Sequence, residues 1–209
     1  MSQFFEIHPE NPQQRLIKQA ADILRKGGVI VYPTDSAYAL ACQIGDKTAL
    51  DKIKRIRHLD DKHNFSLICK DLAQVATFTK VSNDTHRLIK NLTPGAFTFI
   101  IDATKEVPKR MMHAKRKTIG IRIPDNNIAL ALVEELGEPL LSATLIMPNA
   151  EYALSDPYEI RELLEHELDL IIDAGIITCD TCDASTIISC ADGKIELIRQ
   201  GKGEAPMLG

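Results

Sequence analysis

The sequence predicts an α/β protein in which a twisted, mixed sheet carries flanking helices. Three observations lead there. Strand-type and helix-type hydrophobic patterns alternate along most of the chain. Residues 29–32, Val-Ile-Val-Tyr, form a continuous apolar run of the kind that marks a strand covered on both faces. The last two strand-type runs, 185–189 and 195–199, follow one another without a helix, so part of the sheet is expected to be antiparallel.

Taken in order, Asn11-Pro12 predicts the first helix start, with Asn as cap and Pro at the first helical position. Leu16, Ala20, Ile23 and Leu24 then recur at helical spacing until Gly27-Gly28 stops the helix. After the strand at 29–32, a second helix is predicted over 46–57, with Ala49, Leu50, Ile53 and Ile56 inward. Further strand-type runs lie at 65–69, 97–101, 118–123, 140–145 and 168–173. Helical patterns separate several of them: 82–91 behind a Ser cap, 127–136 ending at Gly137, and 156–164 with Pro157 at its start.

Composition bounds the function. With 209 residues, 44% hydrophobic and 26% charged, the chain reads as one domain, 1–209, with no repeat and no linker. The N-terminus lacks the basic and apolar regions of a secretory signal, and no apolar run is long enough to span a bilayer. A cytoplasmic location without a membrane partner is therefore expected. The five cysteines do not form a disulfide framework, and Cys179-Asp180-Thr181-Cys182 lacks the second pair that a zinc ribbon needs. Six histidines show no ligand-like spacing, so no protein-bound metal is expected. Dinucleotide, P-loop, zinc-protease and serine-hydrolase signatures are all absent.

The net charge of −4 does not draw nucleic acid to the molecule as a whole. Its distribution is uneven. Lys52, Lys54, Arg55, Arg57 and Lys62 make one basic stretch; Lys105, Lys109, Arg110, Lys115, Arg116, Lys117 and Arg122 make another, while acidic residues gather over 159–173. Local positive charge on an acidic chain suits a phosphate-bearing ligand.

Three segments carry candidate chemistry. Pro33-Thr34-Asp35-Ser36 directly follows the buried run 29–32, and ligands of α/β sheets bind beyond the carboxyl ends of strands. The same residue types also cap turns. Arg57 ends a basic helix that runs into a polar loop, a place to clamp phosphates or simply to complement the helix dipole. Arg122 alternates with Ile121 and Ile123, so a buried guanidinium there needs an anionic partner, either a ligand or a side chain such as Asp125. Ser142-Ala143-Thr144, Ser185-Thr186 and Arg199-Gln200-Gly201 add polar groups at strand ends.

In this order, and together with Thr93-Pro94-Gly95 and Ile119-Gly120-Ile121-Arg122-Ile123-Pro124, these segments resemble the YrdC/YciO family over nearly the whole chain, closest to its YciO branch. The resemblance implies a YrdC-like fold with a positively charged concave groove. It also implies relation to enzymes that make threonylcarbamoyl-AMP from L-threonine, bicarbonate and ATP for the threonylcarbamoyladenosine modification of tRNA. Mg²⁺ would arrive on the ATP phosphates. The family is also described as binding double-stranded RNA, so a non-catalytic module for duplex RNA, tRNA or rRNA is the alternative. Carried over by residue, Thr34, Arg122, Ser142 and Ser185 resemble the threonine site, and Arg57, Thr118, Thr144 and Arg199 the ATP site. Three positions depart from the synthase branch. Arg57-His58-Leu59 replaces Lys-x-Arg, Thr144-Leu145-Ile146 replaces Ser-x-Asn, and Cys69 stands where a histidine is often found. Weakened or altered synthase activity is the corresponding expectation.

Overall fold

The computed structural model describes residues 1–60, 63–178 and 184–205. Lys62 and the Cys179/Cys182 pair lie outside the described residues. The described residues fold around ten strands: β1 Gln3–Glu6, β2 Ile30–Pro33, β3 Tyr38–Gln43, β4 Ser66–Ile68, β5 Phe97–Asp102, β6 Thr118–Arg122, β7 Leu140–Thr144, β8 Leu170–Asp173, β9 Thr186–Ser189 and β10 Glu196–Arg199. They form one mixed sheet in the order β1-β8-β2-β3-β7-β4-β6-β5-β9-β10. The predicted antiparallel character of the last two strands is present, with Glu196 opposite Ser189. Among the described residues, six helices accompany the sheet: α1 Gln14–Arg25, α2 Lys47–Arg57, α3 Leu72–Phe78, α4 Asn83–Leu92, α5 Asn127–Leu136 and α6 Pro157–Leu164. Among the described residues, no helix is long and apolar enough to cross a membrane.

Local chemistry sets most of these boundaries. The Asp46 carboxylate accepts from the Ala49 amide and starts α2, whose Ala49, Leu50, Ile53 and Ile56 are buried as the periodicity predicts. Asn126 caps α5 in the same way, and Gly137 ends it at φ 80°, a left-handed conformation suited to glycine. The first helix differs from expectation. Asn11-Pro12 does not open it; α1 starts at Gln14, because His8 Nδ1 accepts from the Glu10 and Asn11 amides and holds that stretch in a turn.

A larger correction concerns residues 33–40. They are not a loop between strand and helix: β2 turns back at 34–37 into β3, with Val31 opposite Leu40. Thr34 builds this turn. Its hydroxyl accepts from the Ser36 and Ala37 amides and donates to the Ala37 carbonyl at 2.6 Å. Thr34 thus fills the turn-building role that its residue type offered in the sequence.

Helices cover the two faces unequally. α2, α3, α4 and α6 pack on one face in a large core that includes Leu40, Leu67, Phe99 and Ile121. α1 and α5 pack on the other, over Ile30, Tyr32, Ala41, Ile68, Leu140 and Ile172. The first basic stretch meets the acidic segment: Lys52 pairs with Asp169 and Arg55 with Glu167, each at 2.9 Å. Lys52 and Arg55 of that stretch are thus neutralised within the protein.

Candidate functional site

The face that carries α1 and α5 is only partly covered. Where these helices stop, the strands change character. On β4, Ser66 and Ile68 point the same way, as period two requires; Ile68 packs in the helix-covered cluster, whereas Ser66 lines an open cavity of about 330 Å³. On β7 the same switch runs from Leu140 to Ser142 and Thr144. On β5, Thr98 and Ile100 face the cavity while Phe97 and Phe99 fill the opposite core. The size falls within the range of ligand clefts.

Close packing shapes its floor. A Cβ on Gly120 would stand 2.6 Å from Ser66 Oγ and 2.9 Å from the Phe65 carbonyl, so only glycine fits between β6 and β4. Among the described residues, the cavity lining includes two guanidinium groups, Arg57 and Arg199, and no carboxylate. Arg57 donates to the Thr144 carbonyl, and its Nε is buried with no hydrogen-bond partner among the described residues. Burial lowers its pKa from the usual guanidinium value. Arg199 donates to the Ser185 carbonyl at 2.9 Å. The two arginines thus belong to different walls, one beside β7 and the other beside β9.

His63 adds a third nitrogen group, set edge-on to Phe65 at 5.1 Å between ring centroids. Its pKa falls from 6.5 to about 4, chiefly through burial and then through the positive charge of Arg57. The imidazole is neutral at pH 7, so Arg57 and Arg199 carry the positive charge of the lining.

Of the residues singled out from sequence, Arg57, Ser142, Thr144, Ser185 and Arg199 come together in this cavity. Several of their hydroxyls are already engaged. Tyr32 donates to Ser142 Oγ at 2.8 Å, and Ser142 donates to the Leu40 carbonyl at 3.1 Å. Burial pushes the Tyr32 phenol up to about 12, so it stays a donor. Ser185 pairs with Thr98 at 2.6 Å.

Thr34, Thr118 and Arg122 do not line the cavity. Thr118 is 1% exposed, and its Oγ1 has no hydrogen-bond partner among the described residues. Arg122 has the anionic partner its burial demands, but that partner is Asp35 in the β2–β3 turn; Asp125 instead donates its amide to Asp35 at 3.0 Å. Arg122 also donates to Ser36 at 2.9 Å. This pair joins the turn to β6 across β7 and β4, which requires the sheet to curl. Lys202, beyond β10, donates to the Asp35 carbonyl at 2.6 Å. One turn therefore ties together both sides of the concave face.

Ser66, Thr98 and His63 were missed as site residues. The alternation Phe97-Thr98-Phe99 was a usable signal, since a lone polar residue between buried aromatics must face something other than core. Leu59 packs against the large core and is not among the lining residues, whereas Ile146 lines the cavity. Cys69 is fully buried in that core, on the other side of the sheet from Ser66.

The model of the Sua5/YciO/YrdC family, described as "Telomere recombination", matches residues 22–201. The YciO protein of Escherichia coli K12, itself uncharacterised, is 54% identical over 98% of both chains. Its crystal structure superposes with a TM-score of 0.95 over 100% of both chains at 53% identity. A threonylcarbamoyl-AMP synthase of Bacillus subtilis is 30% identical over 94% of this chain, which spans 55% of that enzyme. The fold also matches Sua5 of P. abyssi complexed with L-threonine, at a TM-score of 0.86 and 21% identity, over 95% of this chain and 57% of that one.

Proposed function

This chain belongs to the Sua5/YciO/YrdC family, and from that premise we propose that its cavity binds ATP and L-threonine and makes threonylcarbamoyl-AMP slowly. The observation that carries the reading is a concave, hydroxyl-rich lining with Arg57 and Arg199 on separate walls and no carboxylate among the described residues. Such a lining favours a polyanion and repels none of its charge. Mg²⁺ would come with the phosphates, because the described lining residues supply no carboxylate oxygen to hold it.

In the proposed reaction, the threonine amine and bicarbonate first combine into a carbamate with loss of water. A carbamate oxygen then attacks the α-phosphorus of ATP and pyrophosphate leaves. Such a step asks chiefly for alignment and for neutralisation of charge on the phosphates. Arg57 and Arg199 would neutralise, and Thr144 would orient. Arg122, paired with Asp35 outside the cavity lining, would reach an amino-acid carboxylate only by leaving that pair. With Leu59 in the core and Ile146 on the wall, the cleft has fewer polar groups than the Lys-x-Arg and Ser-x-Asn pattern would supply. Loss of one such donor typically costs about 3 kcal/mol of barrier, roughly a hundredfold in rate.

Pyrophosphate release with L-threonine, bicarbonate and MgATP tests this. Slow but threonine-dependent release is expected, together with a rise in melting temperature on adding ATP that Arg57→Ala abolishes. Release no greater than that of heat-killed protein would overturn the synthase step. An ATP-induced shift undiminished in Arg57→Ala would overturn the site.

A further inference from the structure

A second cavity, of about 670 Å³, lies past the end of β5 and before the start of β6. It shares no lining residue with the cleft. Its floor is apolar, from Ala103, Val107 and Met112, and its rim carries Lys80, Lys105, Lys109 and Lys117. Carboxylates are absent from this lining among the described residues. The contrast with the first basic stretch is direct: Lys52 and Arg55 pair with acids, whereas no ion pair among the described residues involves any of these four lysines.

The rim is also built to keep its shape. His113 Nδ1 accepts from the Lys115 and Arg116 amides, so the neutral ring carries its proton on Nε2 and keeps a donor. The Lys117 amide donates to the His113 carbonyl at 2.9 Å, and Lys117 itself sits at φ 55°. A non-glycine residue in the left-handed region costs free energy and persists where the surroundings hold it. Four cations around an apolar floor repel one another until an anion arrives. An apolar floor adds affinity only for a ligand with an apolar body.

We propose that this cavity is a separate binding site for a small organic anion, a phosphate or carboxylate head on an apolar body. The lysines would hold the head and the floor the body. The proposal is independent of any activity at the cleft.

Calorimetric titration of the whole protein with 1-naphthyl phosphate and with 1-naphthoate tests it and separates the two head groups. The isolated halves, inorganic phosphate and 1-naphthol, serve as controls. Saturable one-to-one binding of at least one of the two anions is expected, tighter than either half alone. The triple variant Lys105→Glu, Lys109→Glu, Lys117→Glu should weaken it by at least about tenfold, on the scale of one lost charge-assisted contact. Arg57→Ala should leave it unchanged. The three lysines are exposed, and an unaltered melting temperature without ligand would show that the variant folds; Lys→Gln replacements repeat the measurement with a milder change. Equal binding by the triple variant, loss in Arg57→Ala instead, or no saturable binding of either anion would overturn the proposal. So would retention of a short RNA duplex that depends on these lysines while neither naphthyl anion binds, which would assign the patch to RNA.

Discussion

The covered and open parts of one sheet face are made from the same strands, yet their chemistry is opposite. Under α1 and α5, β4 and β7 present Ile68 and Leu140; two residues away they present Ser66 and Ser142 to the cavity. Side chains beneath a helix lose water and gain packing contacts, so they are apolar. Side chains beyond the helix keep water until a ligand replaces it, so hydroxyls cost little there. The lesson is that the site begins where helical cover ends. The seam between the two parts is the ion pair from Asp35 to Arg122, with side chains only 12% and 6% exposed.

The comparison predicts the largest loss at that seam. Arg122→Ala strands the Asp35 carboxylate, and urea unfolding at pH 7 should show about 3–5 kcal/mol less stability, the usual effect of removing one partner of a buried pair. Adding Asp35→Asn should recover part of it; no recovery would mean that packing, and not charge, holds the seam. Within the covered part, Leu132→Ala on α5 should cost about 3 kcal/mol by the same measurement, because Leu132 is fully buried and leaves a cavity.

A smaller effect is expected from His63 in the open part. Its pKa is lowered on folding, so between 6.5 and about 4 the unfolded chain binds more protons than the folded one. His63 thus supports the fold fully above pH 6.5, and this support fades as the pH falls toward 4. Urea midpoints taken from pH 7 to pH 5 should fall less steeply in His63→Asn than in the natural chain. Equal slopes would mean that the ring is not desolvated in the cavity wall. The smallest change should come from Thr144→Val, within about 0.5 kcal/mol in stability, as for substitutions away from packed features. Its ATP-induced melting shift should nonetheless shrink. A loss of stability comparable to that of Leu132→Ala would erase the distinction between the two parts.

Much of this was legible in the residues themselves. α2 could be read because Ala49, Leu50, Ile53 and Ile56 recur at helical spacing, and α5 because Gly137 marks its end. β1 and β3 could not. Gln3–Glu6 is short and half exposed, and Tyr38–Gln43 follows a polar turn that reads equally well as a loop. α3, seven residues long, has too few turns for a period to emerge. In the site, Arg57, Ser142, Thr144, Ser185 and Arg199 come from separate stretches that the fold gathers. Thr34 was legible only as a polar residue after a strand; that its hydroxyl builds the turn depended on where the Ser36 and Ala37 amides lay.

By itself, the sequence determined the alternation of helices and strands, the Ser82 cap and the Gly137 stop, the two-sided burial of β2 and the need for a charge opposite Arg122. These follow from side-chain volume, period and desolvation, which act over a few residues. Only the tertiary structure decided where α1 and α5 stop covering the sheet, and that Asp35 answers Arg122 across two intervening strands. Those outcomes depend on how far the sheet curls, a sum of small twists along the whole sheet that no single segment encodes.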